Sequence, residues 1–245
     1  MLILISPAKT IRDFTYDGIT TTPRYLNLSK QIIEIMKKLS YEEIKNLCKT
    51  SDKLTLQSMN YYRDFCFDDL GIPALFAYHG IQFKAIHPLS FDLNDMEFAQ
   101  THLGIISAVY GILRPLDLIY PYRLEMQADL KINGSTNLYE FWNDKLTQSL
   151  KKEDIIDLSS IEYSKIINQS LKQTNHYLRI EFYELRNGKY KAISTMVKAA
   201  RGNMVHWIIK NRIMNKEQIK DYHENGYVYQ QDSSNEQYYR FVRAS

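Results

Sequence analysis

Apolar residues change their spacing along this chain, and each change predicts an element. Leu2-Ile3-Leu4-Ile5 is an unbroken aliphatic run closed by Ser6-Pro7, too short for a helix and too apolar for an exposed edge, so it predicts a short buried strand. After Thr22-Pro23 the period lengthens. Leu28, Ile32, Ile35, Met36 and Leu39 recur at helical spacing, and Pro23 suits a first helical turn. Ser40-Tyr41-Glu42-Glu43 predicts a capping box opening a second helix, and a third follows with Leu56, Met59 and Phe65 as inward positions. Gly71-Ile72-Pro73 breaks the pattern, and Asn94-Asp95 starts a helix that runs through Phe98 and Ala99 into Leu103. Residues 105–110 fit either a buried strand or the end of that helix, because so short a run has no decisive period. Residues 155–158 predict a strand, and 177–184 with 190–194 predict a hairpin around Asn187-Gly188, a strong two-residue turn signal. A helix spans 196 to about 212, and strand-like pieces at 226–229 and 238–242 finish the pattern.

No repeat, low-complexity tract or linker interrupts these elements. With 245 residues, 44% hydrophobic and 24% charged, the chain is predicted to fold as one α+β (mixed α/β) domain over 1–245, a mixed central sheet flanked by helices. The first apolar run stops at Pro7 and nothing later approaches about 18 consecutive apolar residues, so neither a signal segment nor a membrane span is expected. Cys48 and Cys66 have no CxxC spacing, which fits a reducing compartment and predicts a cytoplasmic location. Thirty-one basic against 28 acidic residues give a net charge of +3, too balanced to imply nucleic-acid binding by itself. Any basic site must be local.

Four segments carry candidate chemistry. In the 196–212 helix, Val197, Met204 and Ile208 form an apolar stripe with Arg201 in its middle, and Lys198 falls beside Val205 and Ile209. A charge on an apolar face needs either an internal ion pair or a wet cleft, and spacing leaves both open. The segment from Arg114 to Glu125 places Arg114, Arg123, Tyr120 and Tyr122 on a loop stiffened by Pro115 and Pro121. Arginine forks there could hold phosphate or carboxylate, or be neutralised by Asp117 and Glu125. Lys9 lies in the Ser6-Pro7-Ala8-Lys9-Thr10 loop at the end of the first strand, and Ser159-Ser160-Ile161-Glu162-Tyr163 follows another strand. Strand C-terminal ends are where open α/β sheets gather ligands. The chain has no Walker loop, GxGxxG, GxSxG or HExxH, and its six histidines lack ligand spacing, so no metal site and no cofactor are expected.

Several of these strings together resemble the YaaA family of peroxide-stress proteins, also called the cantaloupe-fold family. They are the Leu4-Ile5-Ser6-Pro7-Ala8-Lys9-Thr10 segment, Tyr110-Gly111-Ile112-Leu113-Arg114-Pro115-Leu116-Asp117, Pro121-Tyr122-Arg123-Leu124-Glu125-Met126, Leu138-Tyr139-Glu140-Phe141-Trp142, Ser160-Ile161-Glu162-Tyr163-Ser164-Lys165 and Lys198-Ala199-Ala200-Arg201-Gly202. The chain departs from the family pattern in having Ala199 after Lys198, and Tyr78-His79-Gly80-Ile81-Gln82-Phe83 where a Lys-Gly-Asp string is usual. The resemblance implies a cytoplasmic bacterial protein that limits iron-driven oxidative damage, with a mixed α/β fold and a positively charged cleft. It also implies DNA binding with a helix-hairpin-helix-like element, for which the turn at Tyr110-Gly111 is the first candidate.

The leading expectation is therefore a DNA-binding stress protein in which Lys9, Arg114, Arg123, Lys198 and Arg201 line a basic cleft. Ser6, Thr10, Tyr122, Glu125, Ser160, Glu162 and Tyr163 would support it. The alternative is an enzyme acting on a small anionic or nucleotide-like substrate in the same cleft, with Glu125, Glu162, Tyr163 or Ser160 doing acid–base work. Direct iron sequestration would need ligand spacing that the sequence lacks, and no stable protein partner is expected. Shape separates the two main readings: a phosphate-tracking binder needs a basic groove open at both ends, an enzyme a pocket with a carboxylate facing the cations.

Overall fold

The computed structural model describes residues 1–67, 71–167, 169–174 and 176–244. It gathers eight strands into one mixed sheet: β1 (Leu2–Ile5), β2 (Leu103–Ser107), β3 (Gly111–Leu113), β4 (Ile155–Asp157), β5 (Tyr177–Arg186), β6 (Lys189–Lys191), β7 (Val228–Tyr229) and β8 (Tyr238–Ala244). Their order is β7-β8-β5-β4-β1-β2-β3, with β6 paired to β5. The aliphatic first strand belongs at the centre because a strand covered on both faces must be apolar throughout. It pairs in parallel with β2 (Ile3 opposite Leu103) and with β4 (Ile3 opposite Ile156), and Ile3, Leu4 and Ile5 are fully buried. Parallel pairing continues from β4 to β5 and from β5 to β8, while β3, β6 and β7 are antiparallel additions.

The helices are α1 (Leu26–Met36), α2 (Tyr41–Cys48), α3 (Asp52–Arg63), α4 (Ile81–Ile86), α5 (Leu93–His102), α6 (Leu138–Leu150), α7 (Ile161–Ser164) and α8 (Ser194–Lys210), with shorter pieces between them. The capping box at Ser40 and Glu43 forms as the sequence predicts, and a second, Asp92 with Asp95, opens α5. The hairpin turns at Asn187-Gly188, both with positive φ, as a type I′ turn requires. Its second arm is shorter than expected, because Ser194 already begins α8. Among the described residues no helix is long and apolar enough to cross a membrane.

Three expectations are corrected. Residues 103–107 are strand and α5 ends at His102, so the helix stops short of Leu103 and the run left open at 105–110 is strand beside β1 at 105–107 and turn at 108–110. Of the three inward positions expected around α3, Phe65 is buried and Met59 half-buried against the core, but Leu56 is 55% exposed and the helix buries Thr55, Ser58 and Tyr62 instead. Burying two hydroxyls is possible because each donates back to its own helix, Thr55 to the Ser51 carbonyl and Ser58 to the Leu54 carbonyl. The turn at Tyr110-Gly111 joins β2 to β3 and is no helical hairpin. Tyr110 is fully buried, and Gly111, at φ +74°, lies against Trp142 and Tyr25, so its backbone cannot approach a phosphate.

Candidate functional site

The parallel strands β1 and β4 end side by side, and the loops leaving them form the floor of a cavity of about 490 Å³. Ser6 to Thr10 come from the loop after β1, and Ser160, Glu162 and Tyr163 from the segment after β4. Tyr122 to Glu125 form one side, and His79 to Phe83 at the start of α4, with Lys198 and Arg201 of α8, form the other. Eleven of the twelve residues singled out in the sequence line this cavity: Lys9, Arg123, Lys198, Arg201, Ser6, Thr10, Tyr122, Glu125, Ser160, Glu162 and Tyr163.

Arg114 is the exception. Its backbone N–H and side chain all donate to Asp117, with Nη2 at 2.8 Å from a carboxylate that is fully buried, and the same guanidinium reaches the Thr22 carbonyl. Arg114 thus clamps its own loop.

Each wall is held by contacts that precede any ligand. The Ser160 N–H donates to Ser6 Oγ at 2.8 Å, tying the two strand ends together. Thr10 pairs with His79 in a two-residue antiparallel bridge, which seats the β1 loop beside α4. The Arg123 carbonyl accepts from both the Tyr62 hydroxyl and the Cys48 thiol, fixing the 122–125 segment from beneath. Burial pushes that thiol up to about 11, so Cys48 is a packing residue rather than a nucleophile. Tyr122 joins a buried hydroxyl chain with Tyr78 and Ser107, each at 2.7 Å, and burial raises its phenol to about 12.

Four cationic side chains line the cavity against two carboxylates, an excess of two positive charges. Lys9 Nζ and Glu125 form an ion pair at 2.5 Å near the mouth. Glu162 accepts the Gln127 N–H at 3.3 Å, and burial, reinforced by the neighbouring Glu125 carboxylate, raises its pKa above the ordinary carboxylate value. Lys198 stands exposed at the rim. Arg201 is 9% exposed, its Nε has no hydrogen-bond partner, and no carboxylate closes on it as an ion pair among the described residues. Desolvation, with the Arg179 guanidinium second, lowers its pKa to about 10, so it stays charged at neutral pH without a counter-charge in contact.

Behind Arg201 lies a cluster that the sequence did not suggest. Asp157, fully buried at the end of β4, accepts from the Ser159 N–H and from the hydroxyls of Ser159, Ser164 and Tyr177, and Arg179 Nη1 lies 2.9 Å from it. Burial opposes ionisation, but Arg179 and these donors outweigh it and hold the carboxyl below its usual value. Arg179 therefore takes the contact ion pair with Asp157, and Arg201, which feels Asp157 and Glu181 only at longer range, has no carboxylate in contact. Gln82, Gly80, His79 and Phe83 also line the cavity unforeseen, although the Tyr78 to Phe83 string had stood out as a departure from the family pattern. Gln82 Nε2 is buried without a partner, like Arg201 Nε. At Gly202 a Cβ would collide with the Gln82 carbonyl, so glycine is what lets α8 lie close enough to α4 to put both donors on one wall. Among the described residues no three His, Cys, Asp or Glu side chains gather as metal ligands.

A sequence model of the family described as peroxide stress protein YaaA matches residues 1–233. Similar full-length relatives are UPF0246 proteins. The one from Clostridioides difficile is 39% identical, with 99% of this chain and 100% of the relative covered. Those from Agathobacter rectalis and Ligilactobacillus salivarius are 38% and 37% identical, with 99% of this chain covered and 99% and 100% of the relatives.

Proposed function

This chain belongs to the YaaA family of peroxide stress proteins, and from that membership and the cavity's geometry we propose that it acts by binding a small anionic ligand between α8, α4 and the loops after β1 and β4. One observation carries the reading: Arg201 is buried, charged and unpaired on the cavity wall. An uncompensated buried charge costs several kcal/mol, roughly, and a ligand phosphate or carboxylate would supply the missing partner. In this reading residues 1–245 work as one cytoplasmic domain, and the protein limits iron-mediated oxidative damage through what the cavity holds. Glu162, whose pKa burial raises above the ordinary carboxylate value, is the group suited to exchanging a proton with the ligand. Titration of the protein with inorganic phosphate, followed by calorimetry, tests the site. Saturable binding lost in Arg201→Met supports it, and no binding to the folded protein at low salt sinks it.

A second reading, DNA binding, draws on the same cations and on one further surface. Arg240 lies over the rings of Tyr183, Tyr190 and Tyr238, an arginine–tyrosine platform of the kind on which bases stack. The helical hairpin in this reading is α2–α3, joined by Lys49-Thr50-Ser51, with Lys45 and Lys53 on either side. Anisotropy of labelled duplex and single strands at about 50 and about 200 mM salt separates the readings. A steep salt slope that flattens in Lys198→Ala/Arg201→Ala favours nucleic acid. A cavity with carboxylates opposite the cations favours the small ligand.

A further inference from the structure

Two parts of the cavity lining are chemical opposites. On the α8–α4 side Arg201 Nε and Gln82 Nε2 are buried donors without partners among the described residues, and both residues sit on helices locked together at Gly202. The same cavity is lined by Glu125 of the 122–125 segment and by Glu162 of the segment after β4, whose ionised carboxyl groups only accept. Glu125 is turned toward Lys9, and Glu162 takes a backbone N–H of Gln127 at 3.3 Å, which leaves acceptor capacity on each. A ligand that was anionic throughout would meet like charge at these two carboxylates. One with no anionic group would leave Arg201 desolvated and unpaired.

We infer that the ligand is bifunctional: a phosphate or carboxylate bound by Arg201 and Gln82, and a protonated amine accepted by Glu162 and Glu125. The inference rests on the anion-binding reading above and adds the second end of the molecule. A volume of about 490 Å³ suits a compound of amino-acid to mononucleotide size. The walls also assign the order of importance. The anionic group neutralises a charge that has no other partner, whereas the amine competes with Lys9 for Glu125 and meets Glu162 already supported by backbone. The anion is therefore the anchor and the amine the selector.

Two probes of nearly equal size separate the ends: ethyl phosphate, with the anion alone, and 2-aminoethyl phosphate, with both groups. In NMR titrations of the full chain the aminated probe should bind ~10-fold tighter, the effect expected of one hydrogen-bonded charge pair. Glu162→Gln should shrink that preference toward about twofold, and Arg201→Met should weaken both probes. Equal affinities in the wild-type protein overturn the bifunctional assignment while leaving the anion site standing. Failure of both probes to bind the folded protein overturns the site and the inference together. The wild-type comparison decides without any variant, so a poorly folding Glu162→Gln would not obscure the result.

Discussion

Arg114 and Arg201 looked alike in the sequence, two arginines in strings shared with one family, and the fold gives them opposite situations. Arg114 is 41% exposed in its side chain yet fully committed, with Asp117 accepting from its backbone and from its guanidinium. Arg201 is nearly enclosed yet uncommitted, because the carboxylate behind it, Asp157, is already satisfied by Arg179, Tyr177 and two serines. Exposure alone would have assigned the two roles the wrong way round. What separates a structural arginine from a ligand-binding one is whether a counter-charge is built into the fold.

The comparison breaks most visibly at Asp117. Asp117→Ala strips Arg114 and the Thr21 hydroxyl of a buried acceptor and should cost about 3 kcal/mol in urea unfolding, with phosphate affinity unchanged. A large loss of affinity at equal stability would show that the Arg114 loop does belong to the site. Next comes Gly202→Ala, which forces α8 away from the Gln82 carbonyl. About 2 kcal/mol of stability should go, and phosphate binding with it, because the donor wall opens. Arg201→Met should do the reverse to stability. Removing an unpaired buried charge is expected to raise the ligand-free melting temperature by roughly 2–4 °C, about 1 kcal/mol, while anion affinity falls. A lower melting temperature would mean that Arg201 is a structural residue after all.

The smallest effect concerns a third arrangement, Asp95, where pairing is saturated. Its carboxylate, 2% exposed, binds Lys210 at 2.6 Å and Arg212 at 2.9 Å. Although burial opposes ionisation, these hydrogen bonds prevail and hold its pKa down to about 2. A folded-state pKa below that of the unfolded chain, about 3.9, means that the stabilisation is present above the unfolded value and is lost as pH falls toward 2. The stability gap between wild type and Asp95→Asn should therefore be full at pH 6 and shrink between about pH 4 and pH 2 in thermal unfolding. A gap that does not change with pH would show that the asparagine variant loses packing rather than charge.

Local signals made much of the fold legible. The aliphatic run of β1, the capping box at Ser40, the Asn187-Gly188 turn and the helical stripe of α8 each depend on neighbours in sequence, and each forms. The failures share a different origin. Leu56 is exposed and Thr55 buried in α3 because only the packing of that helix chooses which face turns inward. Tyr110-Gly111 reads as the candidate turn of a helical hairpin, and its burial under Trp142 and Tyr25 depends on residues far away in the chain. Gln82 went unnoticed because a lone glutamine in a helix carries no periodic or compositional signal; its unpaired amide matters only beside Arg201.

By itself the sequence determined many of the elements, though not β3, α4 or α6, together with the family and most of the residues that line the cavity, since propensity, capping and turn chemistry act over a few residues. Tertiary structure alone decided which charges are spent. Pairing is a property of distances between elements far apart in the chain: Arg179 from β5 reaches Asp157 at the end of β4, and the close approach of α8 to α4 at Gly202 leaves Arg201 and Gln82 lining the same cavity as Glu125 and Glu162.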